Sequence, residues 1–346
     1  MYLQSLANRV PSKAYTQAES WEMLQQADPF KKLLDRSKYI LEKILIGGAS
    51  GIEKRHFCVP DIQNVFKYTA EELNVEFERE APILAADALA DALEQAEMKP
   101  DELDAIVLCT CTGYLCPGVT SYVAERMGMR RDIFLQDIVG LGCGAAVPSM
   151  RAAEGLIAAN PGMKVAVIAV EICSAAFYIN DDPGVLVSLC LFGDGASASI
   201  WSDKPGPTGL RTKGFDTIHI PEDRELLRFV NCDGKLCNKL DLTVPQKAAI
   251  AVDKLFTKQD PGKIEQVLSH AGGRDVLIAV GGSVKDYTLT ESEIVLKNYG
   301  NMSSPSVLFA LGEYLNGGVN GNLQDKDLWL TSFGAGFAAH SFKLGL

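Results

Sequence analysis

The sequence is poor in basic residues. Among 346 residues, 33 lysines and arginines stand against 44 aspartates and glutamates, which gives a formal net charge of −11. Nucleic-acid binding depends on a surplus of Lys and Arg that neutralises phosphates. The composition therefore argues against a nucleic acid as partner, and an anionic small-molecule substrate would need a local basic patch.

A long uninterrupted apolar run is also missing. The longest apolar stretch, KVAVIAVEICSAAFYI, contains Glu171 and falls short of the roughly 20 residues that a membrane-spanning helix needs. The first residues, MYLQSLANRVPSKAYTQ, do not combine a basic segment with an apolar one, as secretory signal peptides do. We expect no membrane association and a cytoplasmic location.

Cysteine pairing is not indicated either. The 9 cysteines are an odd number scattered through apolar segments, which favours a reducing, cytoplasmic setting. Cys109, Cys111 and Cys116 lie close together in sequence, but the first two alternate on a predicted strand and no histidine adjoins them. We therefore expect no metal site.

What is present is an alternation of helix and strand patterns. Residues 82–97 carry apolar residues at helical spacing, and the following segment, LDAIVLCTCTG, is a continuous β-rich apolar run. Further helical patterns alternate with the strand patterns DIFLQDIVGLG and KVAVIAVEI. This alternation predicts an α/β fold with a largely parallel sheet.

The second half of the sequence repeats features of the first. LFGDGASAS resembles SFGAGFAAH, Asn301 follows Cys143 by 158 positions, and His270 follows Thr110 by 160. We therefore predict an internal duplication, with halves spanning residues 1–203 and 204–346 that meet in the Pro/Gly-rich stretch WSDKPGPTG. The duplication would place Cys143 and Asn301 at equivalent helix starts, with His270 close by.

Cys143 stands in GLGCGAAVP, between a strand pattern and a helix pattern. Backbone N–H groups and the helix dipole at such a turn favour a thiolate and can stabilise a tetrahedral oxyanion. The small flanking residues leave room for a substrate carbonyl. These surroundings favour a nucleophile, with a buried structural cysteine as the alternative.

His270 and Asn301 are the candidate partners of this thiol. The sequence has only 4 histidines, and His270 ends an apolar strand pattern before a Gly-Gly turn. Asn301 lies in a Gly-Asn turn at a helix start, where it could equally be a capping residue. Taken together at duplicated positions, the three residues form a Cys-His-Asn set suited to acyl transfer.

Five motifs in order resemble those of the type III polyketide synthases, the chalcone and stilbene synthase family. They are GLGCGAAVP, LFGDGAS, SHAGGRDVL, YGNMSSPSVLFAL and SFGAGF, and the match extends from about residue 40 to the end of the sequence. The resemblance implies a five-layered αβαβα thiolase-like fold and a homodimer. It also implies that Cys143 is the nucleophile, His270 and Asn301 its partners, and Phe192 a gatekeeper at the pocket mouth.

The family reaction is implied with these residues. An acyl-CoA starter would be transferred to Cys143, which His270 keeps as a thiolate, and malonyl-CoA would lose CO2 while His270 and Asn301 donate hydrogen bonds to the enolate oxygen. The carbanion would then extend the bound chain, and repeated extension and cyclisation would give a pyrone or resorcinol-type product. The resemblance thus implies that the cycle needs no cofactor beyond the CoA thioester substrates.

Further site residues are implied by the same resemblance. The substrate pocket would be lined by Phe192, Cys111, Thr112, Cys173, Ala176 and Ser303. Because Ala176 replaces a threonine of plant members, we expect a larger cavity and a longer acyl starter. Cys116 would reach across the dimer interface. Lys54 and Arg55 would contact coenzyme A phosphates, with a solvated surface pair as the alternative.

The sequence departs from the family at a few positions. His270 is followed by alanine instead of proline, SFGAG replaces Gly-Phe-Gly-Pro-Gly, and Asn238 stands where a second gatekeeper aromatic is expected. Two other functions stay open: a 3-ketoacyl-carrier-protein synthase III performing a single condensation, and a non-catalytic partner with a thiolase fold. HAGGRD does not match the His-Gln-Ala-Asn pattern of the synthase III enzymes. An acyl carrier protein is a further candidate partner.

Overall fold

The computed structural model describes residues 1–317, 323 and 325–346. Within these residues the strands are β1 (Tyr2–Arg9), β2 (Ala14–Thr16), β3 (Lys54–His56), β4 (Ala105–Cys109), β5 (Phe134–Ile138), β6 (Val165–Glu171), β7 (Gly195–Ser202), β8 (Arg211–His219), β9 (Leu227–Cys232), β10 (Lys235–Leu240), β11 (Ile264–Ser269), β12 (Asp327–Gly334) and β13 (Ala338–Gly345). The helices of the same residues are α1 (Gln17–Gln26), α2 (Asp28–Lys31), α3 (Asp35–Leu45), α4 (Ala70–Gln95), α5 (Val119–Arg126), α6 (Ala146–Ala159), α7 (Pro183–Leu191), α8 (Val244–Phe256), α9 (Arg274–Ser283), α10 (Thr290–Tyr299) and α11 (Ser306–Asn316).

Nine strands form one sheet in the order β11-β12-β13-β8-β1-β7-β6-β4-β5. On one side, β5, β4 and β6 are parallel and β7 and β1 follow antiparallel. On the other side, β11 and β12 are parallel and β13 and β8 follow antiparallel. The two halves meet where Tyr2 of β1 pairs with Arg211 of β8. The repeated order supports the duplication, and the predicted boundary after residue 203 lies in the connection between β7 and β8.

Helices cover both faces of each half-sheet. Helix α4 packs on β1, β6 and β7. Between the two half-sheets, α6 contacts β4 and β6 on one side and β12 and β13 on the other, and α11 contacts β1 on one side and β11 and β12 on the other. Helix α8 covers the far side of β8 and β13. Alternate residues of β4 accordingly enter different cores, Ile106 with α4 and Val107 with α6. This gives the expected five-layered αβαβα fold.

Local signals explain where the longest helix begins. Thr69 and Glu72 form a capping box at the start of α4, so the helix begins twelve residues before the predicted stretch 82–97. Pro82 lies inside the helix, although the sequence pattern predicts that the helix starts at this residue.

Among the residues that the structure describes, no helix is both long and apolar enough to span a membrane.

Candidate active site

One cavity of about 610 Å³ brings the three predicted catalytic side chains together. Cys143, His270 and Asn301 all line it, with Phe192 and Phe333 as neighbours. Cys143 is supplied by the first half of the chain and the other two by the second half. The fold therefore unites residues that are far apart in the sequence.

Cys143 lies in a single 3₁₀ turn, Gly142–Gly144, between β5 and α6. The end of β12 presses against this turn: a Cβ atom on Gly334 would lie 2.9 Å from the Cys143 nitrogen and 2.6 Å from the Gly144 nitrogen. The Ser332 hydroxyl donates to the Gly144 carbonyl at 3.0 Å. Only glycine at position 334 allows this approach, which fixes the turn that carries the thiol.

His270 follows β11 directly. Its backbone N–H donates to the Thr331 carbonyl at 2.9 Å, and its ring packs edge-on against Phe333 at 5.3 Å between ring centroids. Within the described residues, the buried Nδ1 atom has no hydrogen-bond partner. Burial lowers the pKa of His270 to about 3, so the ring is neutral.

Asn301 is held on four sides. Its backbone N–H donates to the Leu191 carbonyl at 2.9 Å, and its own carbonyl accepts from the Gly193 N–H at 3.0 Å. Its side-chain Nδ2 donates to the Gly272 carbonyl at 3.1 Å, and its Oδ1 accepts from the Ser303 N–H at 2.7 Å. Because an amide nitrogen carries two hydrogens, one remains for a ligand in the cavity.

The thiol of Cys143 is protonated in the free site. Burial, together with the nearby Glu171 carboxylate, raises the pKa of Cys143 to about 12, although the Ser303 hydroxyl donates to Sγ at 3.2 Å and acts in the opposite direction. In the described part of the chain no hydrogen bond joins this thiol to His270. The expectation that Cys143 is a thiolate is therefore wrong for the free site. Burial disfavours the charged form of the thiol more strongly than the helix N-terminus favours it.

Glu171 is a site residue that the sequence did not reveal. This fully buried carboxylate ends β6 and accepts hydrogen bonds from six donors, namely the hydroxyls of Thr110, Thr112, Ser303 and Ser304 and the N–H groups of Cys111 and Thr112. Burial nevertheless raises its pKa. A charged residue inside an apolar strand run was the available signal, since such a residue is rarely buried without partners.

Ser303 links the candidate nucleophile to this carboxylate. Its Oγ lies 3.2 Å from Cys143 Sγ, 3.2 Å from Cys111 Sγ and 3.3 Å from Glu171 Oε1. One hydroxyl hydrogen can serve only one acceptor at a time, so the thiol and the carboxylate compete for it.

A second, small cavity lies beyond Phe192. It holds about 30 Å³ and is lined by Thr112, Cys173, Ala176 and Phe192, together with Phe177, Tyr178 and Phe229. This is space for about one water molecule. Ala176 borders this space as expected, together with aromatic side chains that occupy much of it, and the larger cavity and longer starter expected from Ala176 stay a prediction. Phe192 belongs to both cavities and separates them.

Asn238 does lie on this wall, as its alignment implied. It pairs across the β9–β10 hairpin with Phe229, and its Nδ2 donates to the Ser188 hydroxyl at 2.8 Å. The aromatic side chain expected at this wall is thus supplied by the opposite strand.

A further cavity of about 440 Å³ is lined by Cys111 and Thr112, with Lys235 and Arg228 among its other residues.

Arg55 does not lie on the surface. Its side chain is 2% exposed, and its guanidinium donates to protein acceptors, including the Phe192 carbonyl. The expectation that Arg55 contacts coenzyme A is therefore wrong. Lys54 is exposed, but the described lining of the large cavity contains Lys43 and Arg274 as its basic residues. Arg274 follows the Gly-Gly turn at the start of α9, and neither residue was singled out from the sequence.

Cys116 is exposed in the connection between β4 and α5. Strand β5 beyond it is an edge of the sheet, with Phe134 47% exposed and the following Val139 51% exposed. In the described ranges, no group of three or more His, Cys, Asp and Glu side chains forms a cluster that could hold a metal ion.

The five-layered fold, with cysteine, histidine and asparagine around one cavity, defines a condensing enzyme of the thiolase type. A family model described as "FAE1/Type III polyketide synthase-like protein" matches residues 9–212. The chain belongs to the type III polyketide synthase family. It is thus a condensing acyltransferase, and neither the single-condensation synthase nor the non-catalytic partner is favoured.

The names of similar curated proteins agree with this family assignment. The chain is 30% identical over 292 residues to the 3,5-dihydroxyphenylacetyl-CoA synthase of Streptomyces toyocaensis, covering 78% of this chain and 74% of the relative. It is 28% identical over 342 residues to the 1,3,6,8-tetrahydroxynaphthalene synthase of Streptomyces coelicolor, with coverages of 95% and 88%. It is 26% identical over 336 residues to the α-pyrone synthesis polyketide synthase-like Pks18 of Mycobacterium tuberculosis, with coverages of 89% and 82%.

Solved structures show the same fold. The crystal structure of the Streptomyces coelicolor tetrahydroxynaphthalene synthase superimposes with a TM-score of 0.87 at 24% identity, covering 100% of this chain and 99% of that one. PKS-I from the brown alga Ectocarpus siliculosus gives a TM-score of 0.89 at 22% identity, with coverages of 99% and 97%.

Proposed function

We propose that the protein condenses malonyl-CoA repeatedly onto an acyl-CoA starter held as a thioester on Cys143, and that the chain cyclises to a pyrone or resorcinol-type product. The observation that carries this proposal is the convergence of Cys143, His270 and Asn301 on one cavity of about 610 Å³. The names of the relatives, which include aromatic-product and α-pyrone enzymes, support the class of product.

The first step loads the starter. The neutral imidazole of His270 takes the proton from the Cys143 thiol as Sγ attacks the thioester carbon of the acyl-CoA. The new sulfur–carbon bond forms, the bond to the coenzyme A sulfur breaks, and His270 returns the proton to the departing thiolate. A neutral histidine is ready to act as this base because burial keeps its pKa low.

The second step forms the carbon–carbon bond. Malonyl-CoA loses CO2, and the electron pair of the broken bond passes to the thioester oxygen as an enolate. The free Nδ2 hydrogen of Asn301 stabilises that oxygen, and so does the substrate-side nitrogen of His270 once the neutral ring has changed to the tautomer that carries its proton there. The enolate carbon then attacks the acyl carbon on Cys143, and the bond to Sγ breaks with its electron pair left on sulfur, which takes up a proton from solvent to restore the thiol. The product is a CoA thioester two carbons longer, which can reload onto the thiol.

Substrate delivery is assigned to the cavity mouth. Lys43 and Arg274 are the basic residues in its described lining, so we assign to them the contacts with the coenzyme A phosphates. Lys54, exposed on β3, is a further candidate from the sequence. A starter carried by an acyl carrier protein would have to enter by the same mouth.

A homodimer is part of the proposal. The exposed edge of β5 carries the apolar residues Phe134 and Val139 next to the loop of Cys116, and exposed edge strands commonly pair with a second chain. Cys116 would then contact the partner subunit.

A product screen tests the proposed function. Purified protein is incubated with malonyl-CoA and acyl-CoA starters from acetyl to palmitoyl, plus aromatic starters. The masses of the products are then measured by mass spectrometry. We expect products heavier than the starter by at least two ketide units, no product from Cys143→Ala, and no effect of a metal chelator. A single extension would indicate the one-step synthase, and turnover that persists in Cys143→Ala would refute the nucleophile.

A further inference from the structure

Arg55 is a buried cation directly behind the wall of the active-site cavity. It lies in β3 and its side chain is 2% exposed. Burial lowers the pKa of its guanidinium to about 10, so it remains charged at neutral pH. Burying a charge is costly unless hydrogen bonds compensate for the lost water. The partners of Arg55 therefore indicate what this residue is for.

The guanidinium binds the end of α7. Its Nη1 donates to the Leu189 carbonyl at 2.7 Å and to the Phe192 carbonyl at 2.9 Å. Its Nε donates to Gln17 Oε1 at 3.0 Å, and Gln17 Nε2 donates to the Cys190 carbonyl at 3.0 Å. The last carbonyls of a helix lack partners and carry the negative end of the dipole, so a cation is favoured there. Phe192 is thereby held through its own backbone.

The aliphatic part of Arg55 supports the segment of Asn301. Gly300 has a φ of +72°, and a Cβ there would lie 2.9 Å from Arg55 Cγ and 2.7 Å from the Leu191 carbonyl oxygen. The next residue, Asn301, makes a parallel bridge with Phe192. One side chain thus contacts both segments that enter the cavity.

We propose that Arg55 is a positioning residue that sets Phe192 and Asn301 relative to Cys143. This inference rests on the proposed function, since it concerns how two side chains of that site are held. Arg55 touches no substrate. Loss of its guanidinium would leave the carbonyls of Leu189 and Phe192 without this donor and would shift the Asn301 amide. An ångström of misplacement in a catalytic group can cost about 100-fold in rate.

The test compares Arg55→Lys and Arg55→Met with wild type. Lysine keeps the charge but has no planar fork to join two carbonyls and Gln17. We expect kcat to fall by about tenfold or more, KM for malonyl-CoA to change by less than about threefold, and the distribution of product masses to shift. Arg211→Met, which replaces an exposed arginine of β8, is the matched control and should behave as wild type.

A contact with coenzyme A would give a different signature. Arg274→Gln, at the proposed phosphate contact, is expected to raise KM with little change in kcat. A raised KM with an unchanged kcat in the Arg55 variants would therefore overturn the inference. A purely structural role would lower the melting temperature but leave the kcat of the folded protein and the product masses unchanged, which would also overturn it.

Two further arms keep the test decisive. If Arg55→Met does not fold, the same kinetic comparison is made with Arg55→Lys and Gln17→Leu. Gln17→Leu removes one acceptor of Arg55 and leaves the charge of the guanidinium in place. If wild type makes no extended product, the proposed function fails. The inference is then judged from crystal structures of wild type and Arg55→Lys, in which unmoved Phe192 and Asn301 would overturn it.

Discussion

Burial sets the protonation of the two groups that exchange the first proton. It raises the pKa of Cys143 to about 12 and lowers that of His270 to about 3. A neutral thiol and a neutral base in one cavity differ from the thiolate that the helix start suggested. The difference arises because desolvation acts against both charged forms at once.

The His270 shift predicts how stability depends on pH. Its folded pKa of about 3 lies below the ordinary value of 6.5, so the unfolded chain binds more protons between these two values. Stability therefore rises with pH across this window and is lost as the pH falls from 6.5 towards 3. We expect the melting temperature of His270→Gln to decline less steeply with acid than that of wild type, measured by calorimetry. Parallel curves would show that His270 is not buried in its neutral form.

Glu171 predicts the reactivity of the nucleophile. Glutamine has nearly the same shape, and the hydroxyls of Ser303 and Ser304 can turn to accept from its amide. Removing the negative charge lowers the pKa of Cys143, because Glu171 raises it in wild type. We therefore expect Glu171→Gln to fold and its Cys143 to be alkylated by iodoacetamide several times faster at pH 8, with labelling located by peptide mass mapping.

Two further variants serve as comparisons for this labelling experiment. Glu102→Gln, on an exposed carboxylate, should leave the labelling rate of Cys143 unchanged. Glu171→Leu leaves buried donors without acceptors and should destabilise the fold by about 1–3 kcal/mol for each donor that stays unpaired. Equal labelling of Glu171→Gln and wild type would mean that the carboxylate has no influence on the thiol.

At the scale of elements, the end of α7 and the β9–β10 hairpin form the partition between two cavities. Phe192 directly follows the last residue of α7, and Phe229 of β9 lines the small cavity. The free volume therefore depends on the side chains of these neighbouring elements as well as on the alanine at position 176. A starter group longer than the space next to Cys143 needs Phe192 to move.

Phe192→Ala tests this partition. Joining the cavities of about 610 Å³ and 30 Å³ should allow longer starters or additional extensions, so heavier products are expected in the mass spectrum. Phe215→Ala removes a half-buried aromatic ring of β8 that belongs to neither cavity lining, and its product masses should match wild type. An unchanged product distribution in Phe192→Ala would contradict the gating role.

The sequence was most informative where function depends on local structure. Cys143, His270 and Asn301 lie at strand ends and glycine turns, so their places could be predicted from neighbouring residues. Arg55 and Glu171 could not be assigned this way, because their roles depend on partners in other elements. The β9–β10 hairpin was missed although Asp233-Gly234 between two strand patterns is a strong hairpin signal.

At the scale of the whole molecule, the open edge of the sheet predicts assembly. Phe134→Lys places a charge on the exposed side of β5, where an apolar edge would pair with a second chain. We expect wild type to sediment as a dimer and Phe134→Lys as a monomer in analytical ultracentrifugation. Ile278→Lys, on a residue of α9 that is 66% exposed, should remain dimeric. A monomeric wild type would refute the proposed homodimer.

The protonated state of Cys143 also affects how the protein ages. Peroxides attack thiolates far faster than thiols, so a buried thiol with a pKa of about 12 oxidises slowly while no substrate is present. Cys116 is exposed in the single chain and would be covered only in the proposed dimer. In dissociated protein stored in air, the first lesions should therefore gather at Cys116 and spare the residue on which turnover depends.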